Sequence, residues 1–183
     1  LFIIDTVLIA AAGYVINDIF DQESDLVNKP RGLYIGDENL SQRSAWFYYG
    51  SLVLVGLILA LYIAFIIDNF HLLIIYPTAV GMLFLYSKSF KKLSLIGNLV
   101  VATFCTFVPG IILYAEWDAI EKARITSPRE YELVYGMFLS YLTFAFLSTL
   151  IREIIKDIED IVGDTSAGYG TYPIVHGKQK AKL

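Results

Sequence analysis

Residues 45–67 read AWFYYGSLVLVGLILALYIAFII and contain no charged side chain. Because a helix rises about 1.5 Å per residue, a helix of this length crosses a hydrocarbon core of roughly 30 Å. Three further uncharged runs occupy residues 70–86, 93–115 and 133–151, and an apolar stretch opens the chain at residues 1–16. The pattern predicts an all-α, polytopic transmembrane helix bundle with five spans, the first of them incomplete.

The composition favours a membrane protein over a soluble one. Of the 183 residues, 56% are hydrophobic and 17% are charged, and the mean hydropathy is +0.59. Soluble domains average roughly 45–50% apolar and about 25% charged residues. The single cysteine, Cys105, lies in an apolar run, which excludes a disulfide framework and a cysteine-based metal site.

Polar segments separate the predicted spans. Residues 26–43 and 116–132 are rich in charged and turn-forming residues, which indicates two loops. Asp68 and Asn69 interrupt the apolar pattern and predict a tight helical hairpin, while residues 87–92 form a short basic turn with three lysines.

The lysine and arginine residues are unevenly divided between the two sides of such a bundle. If the chain crosses at every run, residues 17–43, 87–92 and 152–183 lie on one side and residues 68–71 and 116–132 on the other. Eleven lysines and arginines fall on the first side and three on the second. Cytoplasmic loops carry an excess of these residues, so the first side is predicted to face the cytoplasm.

Two clusters of acidic residues lie on that same side. Asn17, Asp21 and Asp25 are spaced i, i+4, i+8, and a second set, Asp157, Asp160 and Asp164, is spaced i, i+3, i+7. Each set shares one face if it forms a continuous helix. Carboxylates at this spacing repel one another, and hard oxygen ligands suit magnesium that also carries substrate phosphates. We therefore predict that all six residues bind Mg²⁺ and that Asp21, Asp25, Asp157 and Asp160 are catalytic.

The chemistry that fits such a site is the departure of a diphosphate from an allylic carbon. Metal ions and basic groups stabilise the negative charge that grows on the leaving group. The basic turn at residues 87–92 and Arg31 are predicted to lie beside the two clusters. Within that turn, Lys91 and Lys92 are assigned to topology. The 13 tyrosines and 12 phenylalanines offer π faces for the resulting carbocation in a dry cavity.

Three motifs carry a resemblance to a known family. The NDxxDxxxD cluster followed by Asn28-Lys29-Pro30, the segment Tyr86-Ser87-Lys88 with Gly97-Asn98 downstream, and residues 152–174 together resemble the UbiA family of membrane prenyltransferases. The resemblance implies a bundle of nine transmembrane helices, of which residues 1–183 would be an internal fragment truncated at both termini.

The resemblance also implies a reaction. Members of the family transfer a prenyl group from a polyprenyl diphosphate to a hydrophobic acceptor, usually aromatic as in quinone synthesis, otherwise a prenylglyceryl phosphate, with Mg²⁺ bridging the diphosphate to both acidic motifs. The resemblance implies that Asn17, Lys88 and Arg31 contact the diphosphate. We accordingly expect a multi-pass enzyme of a prokaryotic inner membrane with its active site facing the cytoplasm. The lipid bilayer is its expected surrounding, and no nucleic-acid partner is expected.

Two other classes of protein share part of this pattern. Soluble isoprenoid synthases also carry two aspartate motifs, but their helices have polar outer faces, unlike the uncharged runs here. A non-enzymatic transporter or cation-binding membrane protein would also contain carboxylates. Transporters place such groups near the membrane midplane at broken helices, whereas these clusters follow the ends of spans.

Overall fold

The computed structural model describes residues 1–28, 34–36 and 40–182. Apart from two isolated β-bridges, every element in these residues is helical. The α-helices are α1 Phe2–Phe20, α2 Gln22–Asn28, α3 Gln42–Ile67, α4 Ile75–Lys88, α5 Ile96–Ala115, α6 Trp117–Thr126, α7 Pro128–Glu159, α8 Ile161–Ser166, α9 Tyr172–His176 and α10 Lys178–Ala181. Two 3₁₀ turns, Phe70–Ile74 and Phe90–Lys92, flank α4.

Among the described residues, five segments are long and apolar enough to cross a membrane, namely α1, α3, α4 with its flanking turns, α5 and α7. Large apolar side chains such as Phe65 and Phe144 are about 70% exposed on these helices, as expected of side chains that face lipid. The prediction of an all-α polytopic membrane bundle is therefore confirmed, and the chain is an integral membrane protein.

The connection between α3 and α4 is the predicted tight break. Asp68 adopts a left-handed conformation with φ 56°, and its backbone N–H bonds the carbonyls of Ala64 and Phe65. The Asn69 side chain then accepts a hydrogen bond from the His71 N–H and starts the next turn.

The predicted loop at 116–132 is mostly helical. The segment Trp117–Thr126 forms α6, because alanine, glutamate, lysine and arginine are good helix formers despite their polarity. Pro128 then occupies the first turn of α7, where its missing N–H costs nothing. Helix α7 continues past its apolar part into the second acidic cluster and ends at Glu159.

Neither acidic cluster forms one continuous helix, so the simple helical-face prediction is wrong in this detail. Asp21 separates α1 from α2 with ψ 1°, and Asp160 separates α7 from α8 with ψ 3°. An α-helix needs ψ near −42°. The four-residue hydrogen-bond repeat nevertheless passes through both residues, since the N–H of Asp25 bonds Asp21 and that of Asp164 bonds Asp160.

A small core fixes the end of α1 beside the first cluster. Ile16, Ile19, Ile35 and Ala45 are buried together, with aromatic side chains packed around them. Burying one isoleucine side chain contributes roughly 1.5–3 kcal/mol. Phe20 meets both Trp46 of α3 and Phe84 of α4 edge to face, with ring centroids 6.1 and 5.6 Å apart. The residue that precedes Asp21 is therefore held by two neighbouring helices.

Candidate active site

A cavity of about 240 Å³ lies where α1, α4 and α7 end and where α5 begins. All six predicted metal-binding residues line it: Asn17, Asp21, Asp25, Asp157, Asp160 and Asp164. Asp18 and Glu153 are also in its wall. Of the predicted diphosphate contacts, Asn17 lines the cavity, Lys88 does not, and Arg31 lies outside the described residues.

The first acidic motif is organised by an amide and a lysine. Asn17 donates from Nδ2 to Asp21 Oδ2 at 2.6 Å and accepts from Lys91 Nζ at 3.2 Å. Lys91 also forms an ion pair with Asp21 Oδ1, and the two side chains are only 9% and 14% exposed. Lys91, which the sequence suggested to serve topology, is thus a member of this site.

The path of the backbone brings Lys91 into the cavity. The 3₁₀ turn Phe90–Lys92 follows α4 and lies against the start of α5 at Gly97. A Cβ at Gly97 would lie 2.7 Å from the Cα of Lys91, so only glycine permits this approach. Lys88 points elsewhere, with its Nζ 6.0 Å from the ring centroid of Phe84.

The second motif is held by neutral donors. Asn98 of α5 donates from Nδ2 to Asp157 Oδ2 at 2.9 Å, and Ser24 of α2 donates from Oγ to Asp164 Oδ1 at 3.0 Å. Burial raises the pKa of Asp164 to about 6; the Ser24 hydrogen bond acts against this shift, and the neighbouring charges of Asp160 and Asp21 add to it.

Three further residues of the cavity wall were not selected from the sequence. Glu153 is 5% exposed and lies one helical turn before Asp157, a spacing that could have revealed it. Thr171 is 2% exposed, and its Oγ1 has no hydrogen-bond partner among the described residues. Tyr86, in the last turn of α4, also lines the cavity. The burial of Thr171 and Tyr86 depends on tertiary packing, and the signal in the sequence was their place in the segments that resemble the family.

The residues present fit magnesium that is shared with a phosphate ligand. Among the described residues, seven carboxylates and two lysines line the cavity, an excess of negative charge that favours bound cations. Within this part of the chain no three of these groups are close enough to enclose an ion by themselves. Mg²⁺ commonly uses one or two carboxylates and completes its shell with water and substrate phosphates.

The fold and the cavity define a class of protein: a polytopic helical membrane protein whose helix ends enclose a carboxylate-lined site. Comparison with protein families is more specific. The chain belongs to the UbiA prenyltransferase family, whose profile matches residues 1–183, and the resemblance seen in the motifs is confirmed.

Several relatives are named digeranylgeranylglyceryl phosphate synthase. The chain is 38% identical to the one from Thermococcus gammatolerans over 172 residues, which are 93% of this chain and 54% of that protein. It is 37% identical to the one from Hyperthermus butylicus over 182 residues, 97% of this chain and 55% of the relative. The chain thus spans about half the length of the curated relatives it matches. No solved structure matches it significantly.

Proposed function

We propose that the protein is a Mg²⁺-dependent membrane prenyltransferase that uses a polyprenyl diphosphate as donor and a prenylglyceryl phosphate as acceptor. The observation that carries this proposal is the convergence of both acidic motifs on one cavity with seven carboxylates and two lysines among the described residues. A site with this charge needs cations, and a diphosphate supplies the oxygens that complete their coordination.

The names of the relatives help to identify the chemical class of the acceptor. The sequence left two choices, an aromatic ring or a prenylglyceryl phosphate. The names of the relatives refer to digeranylgeranylglyceryl phosphate, which supports the second choice for this protein. The donor would then carry a geranylgeranyl chain.

The six motif residues are proposed to bind Mg²⁺ from two opposite walls of the cavity. Asn17, Asp21 and Asp25 would hold Mg²⁺ from one wall and Asp157, Asp160 and Asp164 from the other, with Asp21, Asp25, Asp157 and Asp160 as the catalytic carboxylates. Magnesium held by these residues would supply positive charge that stabilises the diphosphate as a leaving group.

The contact between the protein and the diphosphate is reassigned in this proposal. Lys91 lines the cavity and Lys88 does not, so Lys91 takes the role first given to Lys88. Its ammonium group presents charge next to Asp21, where metal-bound phosphate oxygens would lie. Arg31 remains a candidate contact on the basis of the motif alone.

The cavity is proposed to face the cytoplasm across a prokaryotic inner membrane. The support is the distribution of lysine and arginine, eleven on the side of the acidic motifs and three on the other. Cysteine substitutions at two exposed positions, Glu159 and Lys122, would be treated with a membrane-impermeant reagent, which should label only position 122 from outside the cell.

The proposal is tested with the full-length protein in nanodiscs. Labelled geranylgeranyl diphosphate is supplied with geranylgeranylglyceryl phosphate or with an aromatic acid, in Mg²⁺ or in EDTA. We expect transfer to the glyceryl phosphate in Mg²⁺ alone. Asp157→Asn should abolish transfer, whereas Glu159→Gln, an exposed change nearby on α7, should preserve it. Cation flux without diphosphate release would identify a transporter instead.

A further inference from the structure

The two acidic motifs are joined by the side chain of Asn28, which lies at the end of α2. Its Oδ1 accepts a hydrogen bond from the backbone N–H of Gly163 at 2.8 Å. Its Nδ2 donates to the backbone carbonyl of Asp160 at 3.3 Å, and it also lies 3.4 Å from Ser24 Oγ. One carboxamide therefore binds the backbone of the second motif through both of its polar atoms.

The position of these contacts in α8 is informative. Asp160 precedes the first residue of α8, and the first N–H groups of any helix lack partners within that helix. A cap usually comes from the helix's own N-cap side chain. In α8 no side-chain cap is made by Asp160, and Asn28 from a distant part of the chain supplies the acceptor. Asp160 itself lines the cavity.

Gly163 provides the space for this contact. A Cβ at Gly163 would lie 2.3 Å from Nδ2 and 2.4 Å from Cγ of Asn28, well inside van der Waals contact. The carboxamide occupies the volume that any other residue would fill. The Asn28 carboxamide therefore fits here only when residue 163 is glycine.

A second hydrogen bond from the same helix reaches the second motif. Ser24, one turn before Asn28 and 4% exposed, donates to the carboxylate of Asp164. Asp25 is adjacent to Ser24 and lines the cavity. The helix that carries the last aspartate of the first motif is thus attached to the second motif at three points: Asp160, Gly163 and Asp164.

We propose that Asn28, seated on Gly163, is a positioning residue that fixes the distance between the two acidic motifs. This Asn28 latch rests on the proposed function, because the distance between the motifs matters only if both motifs bind the same metal ions. The first motif lies on α1 and α2 and the second on α7 and α8, so no helical repeat within either motif sets that distance. Loss of the latch would leave each motif intact but separate them.

The first test requires neither metal nor substrate. Hydrogen–deuterium exchange is measured on full-length wild-type protein, Asn28→Ala and the matched control Val27→Ala, which changes an exposed neighbour on α2. Asn28→Ala should speed exchange in both α2 and α8, whereas Val27→Ala should not. Unchanged exchange in either helix of Asn28→Ala would overturn the latch, whatever the enzyme does.

The second test measures binding of Mn²⁺ alone by electron paramagnetic resonance, together with the Mg²⁺ concentration for half-maximal transfer. Loss of a residue that orients metal ligands typically weakens metal affinity by about 10- to 100-fold, and we expect Asn28→Ala to fall in this range. A purely structural role would lower the amount of folded protein without changing the affinity of the remainder. Affinity within twofold of wild type overturns the proposal.

The third test uses the steric fit. Gly163→Ala should weaken Mn²⁺ binding as strongly as Asn28→Ala, while Gly136→Ala, with open space around its Cβ on α7, should have no effect. In the double variant the clash is gone, so adding Gly163→Ala to Asn28→Ala should cost little more. If the decreases in Mn²⁺ affinity of the two single variants simply add in the double variant, the latch is overturned.

These tests also separate the latch from the proposed function. If Mn²⁺ binding changes in the variants as expected but the wild-type protein transfers no prenyl group, the proposed function fails while the latch is still supported.

Discussion

Replacing Lys91 by alanine is expected to affect the binding of the diphosphate without affecting the binding of the metal, so this variant can distinguish the two. Lys91 is buried and touches only first-motif residues in the described contacts of its ammonium group, Asn17 and Asp21. Lys88 lies on the preceding helix and away from the cavity. If Lys91 contacts the diphosphate, Lys91→Ala should weaken the binding of the donor, whereas Lys88→Ala should hardly affect that binding.

The size of the effect follows from one charge-assisted hydrogen bond. Such a bond contributes about 1.5–3 kcal/mol, and each 1.4 kcal/mol is a factor of ten, so the KM for the donor should rise about 10- to 140-fold. Lys91→Ala also removes the cation that competes for Asp21, which keeps its hydrogen bond from Asn17. The Mg²⁺ concentration for half-maximal activity should therefore not rise.

The assay is a titration of labelled geranylgeranyl diphosphate at saturating Mg²⁺, followed by a titration of Mg²⁺ at saturating donor. Lys91→Arg should recover part of the donor affinity because it retains a positive charge, although the guanidinium is larger. A normal donor KM in Lys91→Ala, or a larger loss in Lys88→Ala, would refute the reasoning and return the diphosphate contact to Lys88.

Three further outcomes are expected. Asn98→Ala removes the 2.9 Å hydrogen bond to Asp157 and should lower metal affinity or turnover about tenfold or more, measured as kcat against Mg²⁺ concentration. Because burial raises the pKa of Asp164 to about 6, this carboxyl takes up a proton as the pH falls through that value and becomes a poorer metal ligand, so the Mg²⁺ requirement should increase below pH 6. Gly56→Ala places a Cβ 2.5 Å from the Tyr76 hydroxyl and should destabilise the α3–α4 contact by about 1–3 kcal/mol, measured by thermal unfolding in detergent.

Each of these outcomes has a contradicting result. Full activity of Asn98→Ala at limiting Mg²⁺ would remove the role given to that amide. A Mg²⁺ requirement that stays flat from pH 7 to pH 5 would show that Asp164 is not a ligand. For the packing prediction, Gly50→Ala is the control because its Cβ meets open space, and equal unfolding temperatures of the two variants would count against it.

The transmembrane architecture was predictable because lipid imposes a simple rule on sequence. Uncharged runs such as residues 45–67 have few alternatives to a membrane-spanning helix, and the structure has α3 there. The polar segment Trp117–Thr126 was harder to predict, because its helix-forming residues indicate a helix whereas its charges indicate a loop. The interruptions at Asp21 and Asp160 depend on single ψ angles, which no periodicity reveals.

The acidic part of the site was equally accessible from the sequence, because both clusters are compact and share one side of the predicted topology. The basic part was not. Lys88 and Lys91 are three residues apart in one polar turn, and the choice between them depends on the close approach of that turn to Gly97. Ser24 and Asn28 act across more than 130 residues of chain, a pairing that local spacing does not contain.

The edge-to-face contact between Phe20 and Trp46 gives the protein a built-in optical probe. Trp46 packs on the residue immediately before Asp21, whereas Trp117, the other of the two tryptophans, begins α6 and is 60% exposed. In a Trp117→Phe background the emission of Trp46 alone would respond to any movement of that helix end. Occupancy of the cavity could then be followed in real time without a labelled substrate.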